Sequence, residues 1–144
     1  MTALTASQNT SSSLKAGIGA GLIGGLVFGV MMGMLGMLPM VGMLVRVESA
    51  IVGFIVHMGI SATIGAVYGL VAARFPQSAP VTAVAGIING IVWWVLGALI
   101  LMPLMLGMSE MVFVIGAMQW SSLLGHLIFG FITAFAFIPL SKRL

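Results

Sequence analysis

Four long apolar runs divide the chain, and short polar or charged segments separate them. A membrane-spanning α-helix needs about 20 apolar residues at a rise of about 1.5 Å each. The runs reach this length at about 14–38, 49–73, 80–102 and 117–140. Because the apolar residues are continuous rather than alternating with polar ones, the pattern favours helices over the strands of a β-barrel. It therefore predicts an all-α integral membrane protein with four transmembrane helices.

The segments outside these runs differ in polarity. Residues 1–13 are polar and rich in Ser and Thr. We predict that they form a flexible tail before a transmembrane domain at 14–144. Two connections, residues 39–48 and 103–116, are nearly as apolar as the helices, and each begins with a proline. Apolar segments of this length are typical of interfacial or re-entrant pieces. We expect both to lie on the outer headgroup layer or to cap the bundle.

The composition supports a membrane protein and excludes several other classes. Apolar residues make up 61% of the chain and charged residues 5%, against about 25% charged in an ordinary soluble domain. A water-soluble domain could not cover its surface with so few charges. With five cations in all, a soluble nucleic-acid-binding protein is also excluded. The chain has no cysteine, hence no disulfide or thiolate zinc site. It has no aspartate and no P-loop, zincin or catalytic-triad motif, so we expect no enzyme activity.

The few charged residues predict an orientation in the membrane. One side of the predicted bundle carries four cations and no acid, namely Lys15, Arg74, Lys142 and Arg143. The other side carries Arg46, Glu48 and Glu110. Positive residues concentrate on the cytoplasmic side of membrane proteins. The sequence therefore predicts a multi-pass protein of the cell inner membrane with both termini in the cytoplasm.

The two halves of the chain resemble each other. AGLIGGLVFGV at 20–30 aligns with AGIINGIVWWV at 85–95. The alignment continues through Met37/Met102, Met40/Met105, Gly42/Gly107 and Met43/Met108, and the second helices pair His57/His126, Tyr68/Phe137 and Arg74/Arg143. This pattern predicts two tandem helical-hairpin repeats, about 14–74 and 80–143. Because each has two spans, they would be parallel repeats about an axis near the membrane normal.

Glycines at every fourth position predict close helix packing. Those of the first helix are Gly17, Gly21, Gly25, Gly29 and Gly33, and the second helix has a matching face that includes Gly65 and Gly69. Helix association in lipid relies on the close backbone approach that small residues permit. The first face could instead be a seam between copies of the chain. We expect Asn89, an amide within the third span, to bridge helices.

His57 and His126 are the first candidates for chemistry. Arg74 and Arg143 follow them at equal spacing, so both histidines lie at one depth. Ionisable residues inside a membrane are candidates for function. The pair could clamp a haem iron from both faces, hold copper or relay a proton. Trp93 and Trp94 would then line the wall of the haem-binding pocket. We favour the alternative that each imidazole donates a hydrogen bond across a helix contact.

Methionines are the second candidates. They repeat every third residue near the outer side, including Met37, Met40, Met43, Met102, Met105 and Met108. Thioethers bind Cu(I), so these residues could be soft copper ligands. Methionine also fills irregular gaps between side chains. We favour the packing interpretation, because a spacing of three does not keep one face of an α-helix.

Two segments carry a family resemblance. HMGISATIGAVYGLVAARFP from His57 and SSLLGHLIFGF around His126 are separated by a glycine-rich helix and a Pro-Leu-Met loop. Together they resemble the YagU-like bacterial inner-membrane proteins and related small membrane domains of unknown function. The resemblance covers about residues 55–143. It implies an integral inner-membrane protein with a loose link to acid tolerance.

Three functions follow from these observations. The favoured one is a structural or accessory subunit that packs in a larger membrane complex or a homo-oligomer and needs no cofactor. Its partners would be the lipid bilayer and other membrane proteins, and not nucleic acid. The second is a protein that binds haem b or copper through His57 and His126. The third is a passive path for protons or a small neutral solute.

Overall fold

The computed structural model describes the backbone of residues 2–144 and the side chains from Asn9 onward, and this part of the chain contains no strand. Its α-helices are α1 (Thr2–Met34), α2 (Leu38–Gly42), α3 (Ala50–Ala72), α4 (Ala79–Trp93), α5 (Met102–Met105) and α6 (Ala117–Ser141). A π-helix, Trp94–Leu101, joins α4 to α5, and 3₁₀ turns lie at Met43–Val45 and Ser109–Met111. The prediction of an all-α fold is confirmed.

Four helical stretches are long and apolar enough to cross a membrane. They are Asn9–Met34, Ala50–Ala72, Ala79–Met105 and Ala117–Ser141. The four predicted spans are therefore present as helices. The third is longer than predicted, because the helix passes through the π segment into α5.

Helix α1 extends into the segment predicted to be a flexible tail, and the flexibility of that segment stays a prediction. Helix α1 begins at Thr2, and Met1 lies outside the described residues. At the end of the predicted tail the helix is packed: Ser13 is buried, and its carbonyl oxygen lies against Gly69 of α3. Ser12 Oγ donates a hydrogen bond to the carbonyl oxygen of Leu144, 2.9 Å away. These contacts hold Ser12 and Ser13 against α3 and the chain end.

Helix α1 is the centre of the molecule. It packs on one side against α3 and on the other against α6, and α6 in turn packs against α4. Among the described residues, α3 and α4 share no extensive contact. One buried cluster, which includes Ala16, Ala20, Tyr68 and Phe137, fills one end of the interior. A second, which includes Phe28, Ile64 and Phe129, fills the other.

Small residues allow the α1–α3 contact. A methyl group at Gly17 would lie 2.9 Å from Gly69 Cα, and one at Gly21 would lie 2.7 Å from Gly65 Cα. Since real Cβ atoms do not approach other atoms so closely, only glycine fits at these positions. Gly25 lies against Ser61, and Gly29 against Phe54 and His57. Gly33 ends this face with only ordinary contact to Leu38.

The first helix of each half ends in the same way, but at positions that the sequence alignment does not pair. Gly36 (φ 67°) and Gly107 (φ 73°) both take the left-handed conformation. The residue after each glycine donates its backbone N–H to the carbonyl oxygen five residues earlier. Met37 donates to Met32, and Met108 donates to Pro103. This is the Schellman pattern of a helix C-terminus. Gly42, which the alignment paired with Gly107, instead lies in α2 against the backbone of Val47 and Ser49. That part of the alignment does not correspond to equivalent structure.

The two outer connections fold back onto the bundle. Helix α2 packs on α3, where Gly53 lies against the Leu38 carbonyl. In the second connection, Pro103 has no N–H to donate to the carbonyl of Leu99, four residues earlier. That carbonyl accepts a hydrogen bond from the Phe113 N–H, 3.1 Å away. Proline cannot donate to this carbonyl, and the returning chain bonds to it.

Candidate functional site

His57 is held by helix α1. Its Nε2 lies 2.9 Å from the Gly25 carbonyl oxygen, at donating distance. Ser61, one turn later on α3, places its hydroxyl 3.5 Å from the same nitrogen. The imidazole is buried, and a methyl group at Gly29 would lie 3.1 Å from its Cδ2. The glycine face therefore exposes the backbone carbonyl to which His57 bonds.

His126 bonds within its own helix. Its Nδ1 lies 2.8 Å from the Ser122 carbonyl oxygen and 3.3 Å from the Ser122 hydroxyl. On the other side, its backbone carbonyl packs against Gly90 of α4. The hydrogen bond across a helix contact that the sequence predicted is present for His57, whereas the His126 bond is intrahelical. Each imidazole therefore has one ring nitrogen within hydrogen-bonding distance of a backbone carbonyl oxygen.

The Phe28 ring lies between the two imidazoles. Its centroid is 5.3 Å from that of His57 and 4.9 Å from that of His126, with edge-to-face geometry in both cases. The ring reaches this position because Gly125 on α6 has no side chain there. A macrocycle between the histidines would have to displace Phe28 from a site where it is 4% exposed.

Phe28 is a site residue that the sequence pattern did not indicate. It directly precedes Gly29 of the glycine face, and that position is the signal that could have drawn attention to it. The direction of its ring depends on α6, which is distant in sequence.

Trp93 and Trp94 have different roles. Trp93 packs on the cluster that contains Phe28. Trp94 is buried, its Nε1 donates to the Gln119 carbonyl at 3.0 Å, and its ring stacks on Trp120. Trp94 therefore fastens the end of α4 to the start of α6. Both histidine rings contact Phe28, and neither indole ring contacts a histidine ring.

The six candidate methionines divide into two groups. Met37 and Met102 pack against the Phe28 cluster. Met40, Met43, Met105 and Met108 are exposed, with 38–57% of each side chain accessible. The first group fills gaps beside aromatic rings, as thioethers commonly do. Among the described residues, no three His, Cys, Asp or Glu side chains are grouped to hold a metal.

Among the residues whose side chains the structure describes, two buried side-chain atoms have no hydrogen-bond partner. Asn89 Nδ2 is buried without a hydrogen bond, and so is the hydroxyl of Thr133, a residue with 0% exposure. The bridging of helices by Asn89 stays a prediction. Thr133 was not a sequence candidate, because a threonine in a span gives no hint of its direction. It lies where α6 meets Gly24 of α1.

No protein family, curated protein or solved structure matches the chain in comparisons with known proteins.

Proposed function

We propose that the protein is a structural or accessory subunit of a membrane assembly, without chemistry of its own. The observation that carries this proposal is Phe28 between His57 and His126. Each imidazole is already bonded to a backbone carbonyl, and an aromatic side chain fills the space that a haem would need. The two histidines then act as packing residues that hydrogen-bond inside the bundle.

The finer parts of the proposal rest on the sequence. The four apolar helices are compatible with a lipid bilayer. The charge bias supports placement in the inner membrane with cytoplasmic termini. The paired histidines and glycines support an internal duplication, and the resemblance to YagU-like proteins stays a prediction.

The decisive experiment is cofactor analysis of the purified protein and of histidine variants. We expect no haem absorption band and no stoichiometric copper in the wild-type protein. His57→Gln and His126→Gln should each give a folded, inserted protein with a loss of stability of about 1 kcal/mol, as for a membrane hydrogen bond. A bound haem or copper that either single substitution abolishes would replace this proposal by the cofactor-binding alternative.

Phe28→Ala is the complementary variant, because it removes the ring between the imidazoles. It should lower thermal stability as a cavity-forming substitution, by about 3–5 kcal/mol in a well-packed core. It should still bind no haem. If haem bound only to this variant, the histidines would have suitable geometry and Phe28 would be the group that excludes the cofactor.

A further inference from the structure

Four exposed cations lie at one end of the bundle. Lys15 is on α1, Arg74 follows α3, and Lys142 and Arg143 end α6. The two glutamates, Glu48 and Glu110, are in the connections at the opposite end. These cations therefore have no acidic side chain nearby with which to pair. A positive surface at the end of membrane-spanning helices attracts anions from its surroundings.

The α1–α6 contact places Lys15 of α1 near the end of the helix that Lys142 and Arg143 follow. The Ser12 hydroxyl bonds to the Leu144 carbonyl at 2.9 Å, and a methyl group at Gly19 would lie 3.2 Å from Leu140 Cδ1. Lys15 is three residues from Ser12 and four from Gly19, so it lies on the same face of α1 as both. It therefore sits beside the end of α6. We call Lys15, Lys142 and Arg143 the basic seam.

We propose that the basic seam binds the phosphate headgroup of an anionic phospholipid. Helix α6 ends at Ser141, directly before Lys142 and Arg143, so these two cations lie where the end of a spanning helix would meet the headgroups. Lysine and arginine place aliphatic stems along apolar surface while their charges reach the interface. The exposed Leu14 adjoins Lys15, and apolar surface continues along α1 at Leu22 for the acyl chains. Basic clusters between transmembrane helices suit such headgroups.

The experiment is native mass spectrometry of the full chain in detergent with added dioleoyl phosphatidylglycerol or dioleoyl phosphatidylcholine. The wild-type protein should retain the anionic lipid in preference to the zwitterionic one. Each cation near a membrane surface contributes about a fivefold gain in affinity. The variant K15Q/K142Q/R143Q should therefore lose at least about tenfold of the preference, whereas the matched control R46Q at the opposite end should keep it.

A second pair of measurements separates lipid binding from a structural role. K15R/K142R keeps the charges and should retain the preference. Rising salt should weaken retention by the wild-type protein, because exposed charges are screened. Equal retention of the two lipids, an unchanged preference in the triple glutamine variant, or complete displacement by inorganic phosphate at the lipid's concentration would each overturn the proposal. A triple variant that lost stability but kept its preference would show that the cations only complement the carbonyls at the α6 C-terminus.

Discussion

At the scale of single residues, some buried polar groups of this bundle have hydrogen-bond partners and others do not. His57 and His126 each bond a carbonyl, while the Thr133 hydroxyl and the Asn89 amide nitrogen are buried without partners. A buried polar group without a hydrogen bond costs about 1–3 kcal/mol. Each of these two unpartnered atoms therefore lowers the stability of the fold.

Thr133→Val tests whether the hydroxyl is unsatisfied. Valine has nearly the same shape, and its methyl group removes the need for a partner. We expect the free energy of unfolding to stay unchanged or to rise by up to about 1 kcal/mol, measured by reversible denaturation in detergent. A loss of more than about 1 kcal/mol would mean that a bound water or another group satisfies the hydroxyl.

At the scale of elements, the glycine face of α1 determines how closely α3 can approach. Gly17 and Gly21 meet Gly65 and Gly69 nearly backbone to backbone. In lipid, such contact stabilises through van der Waals packing, since lipid tails are as apolar as the side chains they replace. The same approach exposes the Gly25 carbonyl to His57.

Gly25→Leu should separate α1 from α3. A leucine side chain would overlap Ser61 and disturb the neighbouring bond of His57, so the loss of thermal stability in detergent should be large. Leu26→Phe is the matched control, because Leu26 is 52% exposed and lies off this face. Equal losses for the two variants would contradict the importance of the α1–α3 contact.

At the scale of the whole molecule, the two halves do not pack alike. α1 packs closely on α6, but α3 and α4 share no extensive contact among the described residues. If the halves are repeats, Asn89 and Trp93 of α4 correspond to Gly24 and Phe28 of α1. Both residues of α4 are larger than their counterparts. We expect these larger side chains to hinder an approach of α4 to α3 as close as that of α1 to α6.

The orientation in the membrane is a prediction at this scale. Reporter fusions at both termini and at residue 77 should be cytoplasmic, and fusions near residues 47 and 110 should be external. The physical reason is the excess of lysine and arginine at one end. A periplasmic C-terminus would contradict the assignment and reverse the side on which the basic seam lies.

The sequence alone determined the four helices, because twenty or more continuous apolar residues in lipid must satisfy their backbone hydrogen bonds internally. Spacing along one helix likewise identified Gly17, Gly21 and Gly25 as a packing face, since residues four apart share a face. It also predicted that His57 and His126 lie at one depth. Each of these depends on residues close together in the chain.

Only the tertiary structure decided what occupies the space between the histidines. Phe28 reaches both rings because α6 presents Gly125 to it, a contact between helices far apart in sequence. The π-helix and the bond from Phe113 to the Leu99 carbonyl also depend on how the second connection returns. Helical periodicity gives the direction of a face, but the partner of that face depends on which helices pack together.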